Sequence, residues 1–374
     1  MGPGKDPATL ARWLKVKYPI FGFNHSIDVT VEVCRAGGIG VFGATRLTPS
    51  EIRETLSEIR SRVGKRPFGV DLVLPKGMPS RDDRAAIEKA IPSGHRQFVD
   101  DIYERYDIAA PDGPGSRSRF VRSEEMAASQ LESVLSSDVD LLAMGIGSPQ
   151  GAVSDAKKQG KTVISLIGSP HHALAALESG ADILVAQGYD AGAHTGQIGT
   201  FSLVPQIVDI AGDVPVVAAG GVATGRHIVA AMAMGAQGVW MGTAWLLTQE
   251  NHTDPIIIKK LLEAGSSDAV ISRADSGKTL RQIRTEWTEI WDQPEAPRPL
   301  RMPYQDILVG DLLGAIQQQR IEPLMHSPAG QSIGYFHAET TVAELFKRIV
   351  AEAEDTYRRL SLWEELPSDA GRPR

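Results

Sequence analysis

The chain has 374 residues, one cysteine, a formal net charge of -7 and a pI near 5.8. That length can bury a large core, and a (β/α)8 barrel of ordinary size would leave roughly 100 residues for additions. The acidic balance argues against nucleic acid or an anionic membrane as partner, because neutralising phosphates needs clustered Lys and Arg.

In chain order, the amino end (MGPGKDPATLARWLK) lacks the apolar core of a secretory signal, and no later run approaches a membrane span. A cytoplasmic location is expected. The first predicted strand covers residues 18–23 and leads into Asn24 and His25, and Cys34 sits in a helical apolar setting that suits a small core residue better than a nucleophile. Further strands are expected at 39–44, 68–74, 141–147, 162–168, 183–187, 215–220 and 238–243, with amphipathic helical stretches between them. Eight βα units in order favour an α/β fold, a closed (β/α)8 TIM barrel, over an open sheet. Residues 76–122 interrupt the rhythm with a helix expected at 96–108 and a polar loop, PDGPGSRSR, that serves either as a lid or as a solvated decoration. After Ala264 the strands stop, and helices carrying Trp287 and Trp291 predict a small helical domain over 265–328. Residues 329–374 contain a last amphipathic helix with Val342, Leu345, Phe346 and Ile349 on one face, expected to return to the barrel formed by residues 1–264.

Chemistry concentrates at residues 186–206, AQGYDAGAHTGQIGTFSLVPQ, where His194 lies in a glycine-spaced loop after the sixth strand. Loops at the carboxyl ends of parallel strands are where barrels place catalytic groups, although a lone loop histidine is more often a turn residue. His25, His171 and His172 follow other strands and could face the same mouth. Gly220-Gly221 after the seventh strand, with Thr224-Gly225 opening the next helix, and Gly242-Thr243 after the eighth occupy the two positions where barrels hold a cofactor phosphate. The sequence contains no Walker loop, HExxH or cysteine cluster, so no metal site is expected, and GIGSPQG lacks the spacing of a dinucleotide fingerprint.

The runs AQGYDAGAHTG, PVVAAGGVATG and GVWMGTAWL resemble the nitronate monooxygenase family, formerly 2-nitropropane dioxygenases, and YPIFGF, RAGGIGVFGA, KRPFGVDLVLP and AGQSIG extend the similarity. The resemblance implies an FMN-dependent barrel in which Asp71, Gln187, Gly192, Gly220, Gly221, Trp240, Met241, Gly242 and Thr243 line the cofactor site. It makes His194 the active-site histidine, with Asn24, His25, His171, Tyr189 and Asp190 as candidates for the substrate side. Three departures from the family pattern stand out. Asp190 and Ala193 stand where Glu and Gly are usual, Asn24 and His25 in FGFNHS replace the flexible turn of the usual Gly-Gly-Met, and Asp71 replaces an Asn that meets the flavin. As an anion, Asp71 could accept a hydrogen bond from the flavin but not donate one.

The expected function is therefore an FMN oxidoreductase that oxidises alkyl nitronates, or a similar activated carbanion, with dioxygen. An NAD(P)H-dependent flavin reductase of unsaturated acyl thioesters and an FMN-binding protein without turnover are the alternatives. The sequence leaves open whether the chain is a monomer or a homodimer.

Overall fold

The structure, a computed structural model, describes residues 7–74, 77–145 and 147–361. Eight parallel strands close a barrel in the order β1 (Ile20–Asn24), β2 (Ile39–Gly43), β3 (Gly69–Val73), β4 (Leu141–Gly145), β5 (Thr162–Ile167), β6 (Ile183–Gln187), β8 (Val216–Ala219) and β9 (Gly238–Met241). Closure is made by β1 on β9, with Phe21 opposite Trp240. The strands read as nearly continuous apolar runs because both faces are covered. Phe21, Ile39, Val41, Leu141, Ile164, Val185 and Val217 fill the interior, while Val70, Leu72, Leu142 and Val163 meet the surrounding helices. Leu10 and Leu14, from the helix Pro7–Trp13 and the turn after it, join the interior cluster at the barrel's amino end.

Helix starts follow the caps in the sequence. Thr48 and Glu51 form a reciprocal capping box at the helix Pro49–Val63, and Ser26, Ser123 and Ser169 each accept a backbone N–H at their own helix start. The last helix, Val342–Ser361, buries Val342, Leu345, Phe346 and Ile349 as expected. It lies so close to the helix Gly225–Ala233 that only glycine fits at position 225: a Cβ there would stand 2.1 Å from the Ala353 nitrogen. This helix takes the place of the eighth barrel helix.

The helical expectation for 265–328 requires correction. That segment contains the helices Glu286–Trp291 and Tyr304–Gln318, but also strands β10 (Ala269–Ser272) and β11 (Leu280–Ile283). They pair antiparallel, and β11 pairs in turn with a two-residue strand, β7 (Ala193–His194), giving a three-stranded sheet. Each of the two hairpin strands has only four residues, too few for an alternating pattern to stand out. The interruption after β3 holds the helices Arg84–Ala90 and Ser93–Arg105. It docks on Tyr304–Gln318, where Arg84 Nη2 donates to Asp311 at 3.0 Å and Gly115 approaches Gly310 so closely that a Cβ would meet its carbonyl at 2.0 Å. The insertion and the small domain therefore form one layer.

Gly225→Ala should lower the unfolding free energy by about 2 to 3 kcal/mol, because its methyl group meets backbone that cannot rotate away. Gly151→Ala, where nothing lies within 4 Å of the added Cβ, should change it by less than about 1 kcal/mol. Urea titration of the two variants side by side checks this, and equal stabilities would mean that the last helix is not held against the barrel.

Candidate active site

The barrel is filled at its amino end and open at its carboxyl end. Inward-facing side chains deep in the strands, such as Ile39, Leu141, Ile164 and Ile183, are fully buried, whereas Phe23, Val73, Leu166 and Gln187 at the carboxyl ends are partly exposed. Phe21 and Phe23 both stack on Trp240, with ring centroids 5.9 and 5.8 Å apart, and floor this mouth. Met241 points the other way. Its side chain lies in the cluster shared with the outer helices, so it could reach a cofactor only through its backbone. In a strand, neighbouring residues face opposite sides.

The loops after β8 and β9 have the shape the sequence suggested. Gly220 and Gly221 take consecutive φ values of 90° and 77°, backbone that side chains strain to adopt, and such turns make anion-binding concavities. A Cβ at Gly220 would meet Thr200 Oγ1 at 2.9 Å and the Ala191 nitrogen at 3.0 Å, whereas one at Gly242 would have only ordinary contact with Phe23 at 3.8 Å. Thr243 Oγ1 accepts the Gly330 N–H at 2.8 Å and keeps its own hydrogen to donate. Gly192 sits directly on Ala329 and Gly330, which ties the His194 loop to the segment entering the last helix. The expected contribution of Thr224-Gly225 is corrected. The N–H of Thr224 donates to His227 Nδ1 at 3.2 Å and that of Gly225 to Glu352 at 3.1 Å, so this helix start is already satisfied by the protein.

His194 is held from three directions. Its backbone pairs with Leu280 of β11, Gln187 Nε2 donates to its carbonyl oxygen at 2.7 Å, and its Nε2 shares a 2.8 Å hydrogen bond with Ser276 Oγ. The preceding Ala193 is left-handed, with φ 58°, a conformation that costs an alanine about 1 kcal/mol and that the β7–β11 pairing maintains. Burial lowers the His194 pKa to about 3, and the charges of Arg122, Arg117, Lys278 and Arg46 push in the same direction. His194 is therefore neutral at physiological pH.

These cations form a roof. Arg117 pairs with two buried carboxylates, Asp275 at 2.8 Å and Asp306 at 3.4 Å. Among the described residues, Arg46, Arg122 and Lys278 have no ion-pair partner, and Arg122 Nη1 is buried without a hydrogen bond. Asp275 also accepts Trp287 Nε1 at 2.9 Å and meets His326 at 3.2 Å. Burial alone would raise its pKa, but His326, Arg117 and the Trp287 hydrogen bond outweigh that and hold it well below the usual carboxylate range.

The remaining candidates divide. His25 stands in the mouth, where its Nδ1 and the Gly43 carbonyl lie 2.8 Å apart, and crowding by protein lowers its pKa. Asp71 is buried, with Oδ1 unpartnered. Asn24 instead closes a turn by accepting the Ser26 N–H, and Asp190 accepts the Thr200 N–H at the start of the helix Thr200–Ile210. Both contacts anchor the loops that carry these side chains. Tyr189 is covered by the Arg281 guanidinium at 4.3 Å, and His171 and His172 are exposed at a helix start, with ring centroids 6.1 Å apart. Ser276 and the roof cations went unrecognised in the sequence. The basic run RSRFVR was visible, but nothing in it indicates which way it folds.

A profile described as nitronate monooxygenase matches residues 10–352. A putative monooxygenase of Mycobacterium tuberculosis is 38% identical over 94% of this chain and 97% of its own length. A probable nitronate monooxygenase of Staphylococcus haemolyticus is 29% identical over 86% and 90%. Among solved structures, nitroalkane oxidase from Streptomyces ansochromogenes superposes with a TM-score of 0.79 at 25% identity, covering 94% of this chain and 99% of that one.

Asp275→Asn should destabilise the protein by about 3 kcal/mol, because it leaves Arg117 buried with half its partners. Asp275 contributes stability that is complete above the unfolded carboxylate pKa and is lost as the pH falls towards its depressed folded value. The gap between wild type and variant should therefore narrow by about 1 kcal/mol as the pH is taken from 5 to 3, as followed by chemical denaturation. A constant gap would disprove the role of its charge.

Proposed function

Because this chain belongs to the nitronate monooxygenase family, we propose that it is an FMN-dependent oxidoreductase that oxidises preformed, anionic alkyl nitronates at the barrel mouth, with dioxygen as electron acceptor. The residues present suit the cofactor. Gly220, Gly221, Gly242 and Thr243 would receive its phosphate, and Trp240, Gln187 and Asp71 line the mouth where its ring system would lie. Gly192 would be limited to shaping the adjoining loop. Bound FMN would take the electrons released by the nitronate and pass them to dioxygen.

The observation that carries the reading is the placement of His194, buried and hydrogen-bonded to Ser276, near Arg46, Arg122 and Lys278, which have no ion-pair partner among the described residues. Such a roof attracts an anion, and its field in a poorly solvated mouth is stronger than it would be in water. A histidine with a pKa of about 3 is a poor base for removing a proton from carbon. It remains a good hydrogen-bonding group, and Ser276, Gln187 and β11 fix its orientation. The substrate suited to this site already carries its negative charge: Arg122 and Lys278 balance that charge while His194 orients the nitro oxygens. Of the two roles an imidazole could take beside a nitro group, base or hydrogen-bonding group, this reading takes the second.

Three outcomes follow for the protein loaded with FMN. Mixed anaerobically, a preformed nitronate should bleach the flavin much faster than the neutral nitroalkane, and bleaching by NAD(P)H in place of either would assign the acyl-thioester reductase chemistry. His194→Asn should retain its flavin and lose less than about tenfold in the nitronate rate, whereas removal of a true general base costs roughly 100-fold or more. The wild-type nitronate rate should also show no limb near pH 6.5, the ordinary histidine pKa.

The phosphate assignment is tested separately. Gly242→Val should fold, since its Cβ meets nothing closer than 3.8 Å, and its branched side chain should weaken FMN binding by about tenfold or more. Unchanged affinity in the folded variant would move the phosphate elsewhere.

A further inference from the structure

Asp71 is the buried ionisable group for which the proposed mechanism has no use. Strand alternation aims it into the barrel: Val70 and Leu72 belong to the helix-side cluster, so the residue between them faces inward, beside Gly43 of β2 and Ala143 of β4 in the strand register. Its neighbours at the mouth end are glycines, and a Cβ built at Gly145 would lie 3.9 Å from Asp71 Oδ1. The residue is only 7% exposed, and Oδ1 has no hydrogen-bond partner. A buried carboxylate normally has a cation or several N–H donors. Asp71 has neither on this oxygen, which faces the space left at Gly145, while the space over Gly43 is taken by the His25 ring.

We infer that Asp71 stands in the mouth as a neutral carboxylic acid whose O–H donates a hydrogen bond to an acceptor on the flavin ring. The inference rests on the FMN reading above. It reverses the expectation that Asp71 acts as an anion able only to accept. The physical reason is desolvation. Taking an unpaired carboxylate out of water costs more than protonating it near neutrality, and burial is the one cause that raises the Asp71 pKa to about 7. The titratable groups on the elements beside it are His25, after β1, and Arg46, after β2, and neither contributes to that shift. Among the described residues of β4, Ala143 and Gly145 face Asp71, and neither titrates. A neutral acid in this position needs an acceptor, and a flavin carbonyl or ring nitrogen would satisfy the orphan. Above neutrality the acid ionises, the donor is lost, and an anion confronts the same acceptor.

The test is FMN binding to the apoprotein from pH 7 to 9, above the second phosphate ionisation near 6, followed by flavin fluorescence. Linkage to one proton released near pH 7 predicts that the dissociation constant of the wild type rises by up to roughly 50-fold across this window. Asp71→Asn, whose amide remains a donor at every pH, should bind FMN with less than about threefold change over the same range. Support requires both results. A wild-type affinity that is flat with pH, or an Asn variant that follows the wild type, overturns the inference while leaving the FMN assignment standing. If neither protein binds FMN, the FMN assignment itself falls and takes the inference with it. Should the Asn variant fail to fold, Asp71→Ser, a smaller donor that does not titrate, takes its place in the comparison, and a flat wild-type profile still overturns the inference.

Discussion

The buried carboxylate of Asp275 is the contact on which the rest of the site depends. An isolated carboxylate at 2% exposure would be prohibitively costly, and it persists because Arg117, Trp287 and His326 surround it. Those partners come from three places in the chain: the insertion after β3, a helix of the small domain, and the segment leading to the last helix. Asp275 therefore clamps together elements that the barrel itself does not organise. It also fixes the loop between β10 and β11, whose next residue, Ser276, holds the His194 ring.

From this clamp follows the electrical character of the mouth. The roof brings Arg46, Arg122 and Lys278 over His194 without a matching set of carboxylates, and the imidazole stays neutral because charging it would add another cation to a poorly solvated space. On the wall, Asp71 faces the opposite problem, an acid without a cation, and resolves it by keeping its proton. Burial is the chief cause in both cases: it moves Asp71 away from the charged form it would hold in water and locks His194 in the neutral form across a pH range where a free imidazole would titrate. Such paired perturbations around one opening are the usual mark of a binding site.

Barrel and roof contribute differently. The barrel supplies a rigid apolar tube, packed at one end, with glycine turns at the other that leave backbone open. The roof supplies orientation and charge through long-range contacts, including the short strand β7 that pins a left-handed Ala193 next to His194. Glycine at position 193 would relieve the strain, but it would also free the loop whose position the histidine requires.

Much of the barrel was legible in the sequence because its signals are local. Apolar runs marked all eight strands, Ser and Thr caps marked helix starts, and the periodicity of the last helix showed which face it buries. The glycine turns after β8 and β9 and the histidine loop after β6 were legible for the same reason. What remained hidden depended on distant partners. Ser276 lies 82 residues from His194, and the hairpin carrying it has strands too short to show a pattern. The N–H groups that Asp190 and Asn24 accept could not be read from the sequence, and the side-chain direction of Met241 follows from a register that one residue would invert. The protonation states of His194 and Asp71 could not be read from residue type at all. The sequence determined which residues could titrate and roughly where they stand; only the tertiary structure decided their charge, because the cost of ionisation is set by whatever the folded chain brings around them.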